Sequence, residues 1–162
     1  MKFKNVDNLV KEVTYWDKNC SLSQIRHNLF CLHKNKLCYL KKGSFYYCFI
    51  FDKLECVVKI IRWDDSPKTF FHKSPDKGSF ADNLFLHPIY SNKNSTVMIQ
   101  PLADTRQAIR ALSEIIDIII KEKIKKHIVD SLTEIWGDPT SSNVGYYQGK
   151  PVIFDFSHGW LE

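Results

Sequence analysis

The chain has 162 residues, 44% hydrophobic and 14% aromatic, enough for one ordinary domain or two small lobes with a packed core, and a composition that excludes intrinsic disorder. Its formal charge of +5 is mildly basic and comes largely from scattered lysines, which favours solubility and acidic partners without specifying nucleic acid. Cys20, Cys31, Cys38, Cys48 and Cys56 fall early in the chain with no C-x-x-C pair and read as reduced thiols; His27 and His33 flank Cys31 without completing a recognised zinc ligand set.

The N-terminus, MKFKNVDNLVKEV, lacks the apolar run of a signal peptide. The longest apolar run, Ile115 to Ile120, is broken by Asp117 and is too short to span a bilayer. A soluble cytoplasmic protein with no membrane partner is expected.

Asn5 to Asp17 places Val6, Leu9, Val10, Val13 and Tyr15 or Trp16 at near-helical spacing, with Asp7 available as a cap. Ser21 to Leu32 repeats Leu22, Ile25, Leu29 and Leu32 at intervals of three and four. Two short amphipathic packing helices follow from this pattern. Lys36 to Leu40, Ser44 to Phe51 and Cys56 to Trp63 are aromatic and β-branched runs punctuated by Lys41-Lys42-Gly43 and Asp52-Lys53, which predicts a three-stranded antiparallel meander. Lys59 interrupts the otherwise apolar strand Cys56-Val57-Val58-Lys59-Ile60-Ile61, on the same face as Val57. A buried ammonium needs an anionic partner or loses its proton; taken alone, such a lysine also reads as an edge residue reaching out to solvent.

From Asp64 to Ser95 the sequence is loop-rich, with Pro67, Pro75, Gly78 and Pro88, and supports at best a short helix from Ser79 to Leu86. Thr96 to Pro101 predicts another strand. Thr105 or Asp104 then caps a long helix, about Arg106 to His127, whose core stripe is read as Ile109, Leu112, Ile115, Ile116, Ile119, Ile120 and Ile124. Lys121 to Lys126 lacks interleaved aromatics and reads as a solvated helix end rather than an RNA-binding patch.

Trp136 to Ser157 carries the densest chemistry. Asp138 and Asn143 stand in a D-x-x-x-x-N spacing on a segment whose Gly, Pro, Thr and Ser residues predict a loop. Val144 to Tyr147 and Pro151 to Phe156, separated by Gln148, Gly149 and Lys150, predict a β-hairpin. Its ends would bring Asn143 and Asp155 within reach of one ion, and Mg²⁺ takes hard oxygen ligands while sharing substrate phosphates. Each residue alone reads as a turn Asp, a capping Asn and a strand-end Asp.

Together these residues resemble the catalytic loop and metal-binding segment of the protein-kinase-like superfamily, with Asp138, Asn143 and Asp155-Phe156-Ser157 in the places of the loop Asp, the metal Asn and the D-F-G Asp. Gly137-Asp138 is closer to the loop of aminoglycoside and choline kinases, with Trp136 in place of the His. The strand around Lys59 resembles the V-A-I-K strand, which implies that Lys59 binds nucleotide phosphates and Val57 roofs the adenine. Gly43 stands in a degenerate glycine-rich loop, with Tyr46 where another glycine is expected. Thr96 to Pro101 leading into Leu102 is placed like a fifth strand and hinge, which implies adenine contacts around Gln100 and Leu102. No Glu occurs between Glu55 and Glu114, and Asp82 is the nearest substitute for the helix glutamate that holds the strand lysine in active kinases. The resemblance spans roughly 36–159, and the sequence stops soon after Asp155 without an activation segment or A-P-E motif. It is similar in this to trimmed kinase-like proteins of phages and bacterial pathogens.

The resemblance implies an α+β, minimal protein-kinase-like fold: 1–103 as a small antiparallel sheet lobe with N-terminal helices, and 104–162 as a reduced helical lobe with a β-hairpin metal loop. It implies ATP and Mg²⁺ as cofactors, with Asp138 and Lys59 catalytic, Lys59, Val57, Gly43, Gln100 and Leu102 on the nucleotide, and Asn143 and Asp155 on the metal. The expected activity is phosphoryl transfer to a protein acceptor, in the cytoplasm or in a host cytoplasm for an effector. The alternatives are a pseudokinase acting as a protein-interaction module and, third, a small basic RNA-binding domain.

Overall fold

The structure is a computed structural model that describes residues 2–43, 45–63, 80–125 and 141–154. It is α+β. The chain divides into two compact units, Met1–Lys68 with Pro88–Leu102, and Thr69–His87 with Ala103–Glu162.

In the first unit, α1 (Val6–Asn19) and α2 (Leu22–Lys34) precede a five-stranded antiparallel sheet of β1 (Tyr39–Lys42), β2 (Tyr46–Phe51), β3 (Cys56–Ile61), β4 (Tyr90–Ser91) and β5 (Val97–Pro101), in the order β1-β2-β3-β5-β4. Asn5 begins α1, its side chain accepting from the Asn8 N–H at 3.0 Å; the expected cap Asp7 lies in the first turn instead, where its charge still suits the helix dipole. Ser21 and Gln24 close a reciprocal capping box at the start of α2. That helix ends in a pair of C-terminal hydrogen bonds, Leu37 N–H to Leu32 O and Lys36 N–H to His33 O, which put Lys36 at a φ of 59°. This tight stop uses Lys36 and Leu37, so β1 begins at Tyr39 rather than at the expected Lys36.

Strand alternation gives the sheet two faces. Phe49, Phe51, Cys56, Val58, Ile60, Val97 and Ile99 join Leu9, Val13 and Trp16 of α1 and Ile25, Leu29 and Leu32 of α2 in one core. Phe30 adds edge-to-face contacts with Tyr47 and Phe49, both at 5.3 Å between centroids. Arg26 donates to the carbonyl of Ile61 at 3.0 Å and so fixes the rotation of α2 over β3. Every residue of β3 is buried, as its apolar run predicts.

The second unit holds α3 (Phe80–Leu84), α4 (Ala108–Lys125) and the hairpin β6 (Val144–Tyr147) and β7 (Lys150–Ile153). Lys150 is a strand residue paired with Tyr147, leaving Gln148 and Gly149 as a two-residue turn with φ values of 51° and 76°, the sign a primed hairpin turn requires. The core joins Leu84 and Phe85, Ala111, Ile115 and Ile119 of α4, and Val144 and Ile153 of the hairpin.

The buried face of α4 is rotated from the expected stripe: Ile109 is 79% exposed and Ile120 38% exposed. The face runs through Ala111, Ile115 and Ile119, with Ala108 packed beside it; a stripe drawn through Leu112 and the isoleucines passes over both alanines. The helix starts at Ala108, so the expected caps precede it by a turn. Asp104 instead accepts from the Arg106 N–H at 3.0 Å and pairs with its guanidinium.

Candidate functional site

The register of β2, β3 and β5 sets out the second face of the sheet row by row. Cys48 pairs with Lys59 and Lys59 with Met98; Ile50 pairs with Val57 and Val57 with Gln100. Lys59, Val57 and Gln100, three of the residues assigned to the nucleotide, therefore share one face of one sheet. They are 6%, 9% and 3% exposed. Tyr46, Ile61 and Met98 extend the row in an apolar cluster that Leu22 and Cys48 flank. A cation and an amide on a buried apolar surface are group types able to orient a phosphate and a base edge.

Gly43 and Leu102 are engaged through their backbones. The Gly43 N–H donates to Tyr46 O at 2.9 Å, and Arg62 Nη1 donates to Gly43 O at 2.9 Å. A Cβ at Gly43 would sit 3.2 Å from that Tyr46 oxygen, so the glycine serves the closure of the β1–β2 turn. Its N–H is spent there rather than aimed at a phosphate. The Leu102 N–H donates to Glu55 O at 2.8 Å, which gives any hinge-type contact of Leu102 to its carbonyl. Glu55 holds a φ of 52° to turn the chain into β3.

In the second unit, a short 3-10 turn from Ser141 to Asn143 leads into β6. Asn143 is half-buried, and its carbonyl accepts from the Phe154 N–H at 3.0 Å. The hairpin thus brings Asn143 beside the residue that precedes Asp155 in the chain. Asp138 and Asp155 lie outside the described residues. Among the described residues there is no group of three or more His, Cys, Asp or Glu side chains able to hold a metal ion.

Asp82, the substitute for the missing glutamate, sits on the five-residue α3. Its carboxylate is 2.9 Å from His87 Nε2, which also lies 3.2 Å from the Asp82 carbonyl.

Sequence reasoning missed Gly145. A Cβ there would come within 2.6 Å of the Asp104 carbonyl oxygen, and this absence of a side chain allows a paired bridge, Asp104 N–H to Tyr146 O at 2.8 Å and Tyr146 N–H to Asp104 O at 2.9 Å. A glycine inside a strand pattern marks such a close approach. Nearby, burial followed by the Glu114 carboxylate pushes the Tyr146 phenol above its ordinary value, and Arg106 holds the Asp104 carboxyl down to about 2.

Among the described residues no helix is long and apolar enough to cross a membrane. The chain matches no family model, and no curated protein or solved structure matches it significantly.

Proposed function

We propose that this chain is a minimal kinase-like protein that binds ATP with Mg²⁺. Lys59 takes the phosphates, Val57 and Gln100 the base side, Asn143 and Asp155 the metal, and Asp138 the acceptor hydroxyl. The observation that carries the reading is the shared face of Val57, Lys59 and Gln100 across β3 and β5, with the lysine buried in the central strand of the sheet. The Asn143–Phe154 hydrogen bond adds support for the metal segment. In this chemistry the protein positions groups and neutralises charge, so removing one of the charged groups costs orders of magnitude in turnover.

One observation favours binding over turnover. Asp82 is a short carboxylate already engaged by His87. This supports a pseudokinase-like interaction module as the second reading.

Thermal unfolding with and without Mg-ATP tests the binding claim. A nucleotide present at about one hundred times its Kd stabilises by about 2.7 kcal/mol. Lys59→Met, which keeps the stem volume, and Asp155→Ala are expected to remove that shift while leaving the unliganded protein folded. ATP turnover by Asp138→Ala equal to that of the unaltered protein would remove the catalytic claim. No Mg-ATP shift, together with a stable protein complex, would favour the interaction module.

A further inference from the structure

His27 and Cys31 stand one turn apart on α2, with Cys31 Sγ 3.6 Å from His27 Nε2. The imidazole is exposed and the thiol half-buried. His27 also borders an open depression lined by Cys20, Ser23, Gln24 and Asn28, so the imidazole is reachable from solvent. Neither side chain has a part in the proposed nucleotide chemistry.

The separation is that of a thiol–imidazole hydrogen bond, and it also matches the spacing that two donors of one tetrahedral cation need. Zinc bonds thiolate sulfur at about 2.3 Å and imidazole nitrogen at about 2.0–2.1 Å, and a tetrahedral angle between them sets sulfur and nitrogen about 3.6 Å apart. The two atoms already stand at that bite. Side chains at i and i+4 share a helix face, and the backbone just before this stretch is anchored: the Ser21–Gln24 capping box fixes the first turn of α2, and Arg26 ties the helix to Ile61 O. Little conformational freedom is then lost when a cation arrives.

We propose that His27 Nε2 and Cys31 Sγ form a bidentate site for a borderline-soft divalent cation of the zinc class. Sulfur and nitrogen donors select such ions over Mg²⁺ and Ca²⁺, which take oxygen. On binding, the Cys31 thiol gives its proton to solvent and forms the metal–sulfur bond. The imidazole donates the lone pair of Nε2 and keeps its proton on Nδ1. Water fills the remaining positions, so the site is open and exchangeable, unlike a closed four-ligand structural site.

Titration of the reduced full chain with Co²⁺, followed by Zn²⁺ competition, tests this. A thiolate-to-cobalt charge-transfer band should saturate at one equivalent and vanish when zinc displaces cobalt. His27→Ala and Cys31→Ser should each weaken binding by more than tenfold with unchanged circular dichroism, while Cys20→Ser should bind like the unaltered chain. Absence of the band, or a Kd that neither His27→Ala nor Cys31→Ser changes, would overturn the site. Loss of binding in Cys20→Ser with retention in His27→Ala would assign the metal elsewhere and overturn it equally.

Discussion

Asp17 on α1 accepts a hydrogen bond from the hydroxyl of Tyr90 on β4, and the two lie 73 positions apart in the chain. The second oxygen of Asp17 accepts from Asn92 Nδ2 at 3.0 Å, and Asn92 Oδ1 in turn accepts from the Thr96 N–H at 2.9 Å. The carboxylate thereby fastens the first helix to the turn between β4 and β5. Tyr90→Phe removes one charge-assisted bond and should lower the unfolding free energy by about 1.5 kcal/mol, read as a shift of the urea midpoint at constant slope. Asp17→Ala strands two donors and should cost more.

The same contact sets an alkaline limit. Burial first, and then the Asp17 hydrogen bond and charge, push the Tyr90 phenol well above its ordinary value. The folded state therefore holds this proton more tightly than the unfolded chain. The resulting stabilisation is complete below the unfolded tyrosine pKa of about 10 and is lost as pH rises beyond it. Urea midpoints measured from neutral pH upward should fall above that value, and Tyr90→Phe should flatten the fall.

Burial separates the cysteines into two classes. Desolvation pushes the Cys38 and Cys56 thiols up to about 11, whereas Cys20, Cys31 and Cys48 are half-buried. A charged thiol reagent at mildly alkaline pH should label Cys20, Cys31 and Cys48 in the native chain and reach Cys38 and Cys56 only after denaturation. Peptide mapping by mass spectrometry reads this directly, and early labelling of Cys56 would contradict the burial of β3.

Gly145→Ala places a methyl group against the Asp104 carbonyl, where the backbone leaves 2.6 Å. The paired bridge to Tyr146 must open to admit it. A loss of roughly 1–3 kcal/mol is expected, and amide exchange at Asp104 and Tyr146 should accelerate with it.

Lys36→Gly should act in the opposite direction. Lys36 holds a φ of 59° at the end of α2, a conformation that costs a side-chain-bearing residue and suits glycine. A gain of about 0.5–1 kcal/mol in the urea midpoint energy is expected.

Strong local patterns made much of the fold legible. The aromatic and β-branched runs located β2, β3 and β5, and the runs on either side of Gln148, Gly149 and Lys150 located the hairpin, with its turn one residue shorter than expected. The apolar sequence around Lys59 correctly implied burial on both faces. Features that depend on tertiary contact left little local trace. Strand β4 has only two residues and forms because Tyr90 and Ser91 pair with Ile99 and Met98. The face of α4 includes Ala111, buried in one core with Val144 and Ile153 of the hairpin, a residue that a stripe of larger apolar side chains omits. Lys36 ends α2 without the glycine that usually announces such a stop. For the candidate site, alternation put Val57 and Lys59 on one face, whereas Gln100 joins them through the β3–β5 register, which strand alternation alone does not give. The engagement of the Gly43 and Leu102 amides followed from turn geometry that no motif spacing encodes.

The five-stranded order also bears on how the chain avoids its own kind. Its two terminal strands are β1 and β4. Lys41 and Lys42 on β1 are both exposed, and β4 offers only two residues for pairing. A lysine-bearing edge repels a second copy of itself, and so short an edge gives an incoming strand almost no ladder to extend. The sheet is thus guarded at both margins against growing into a fibre, and aggregation on storage should rise when Lys41 and Lys42 are replaced by threonine.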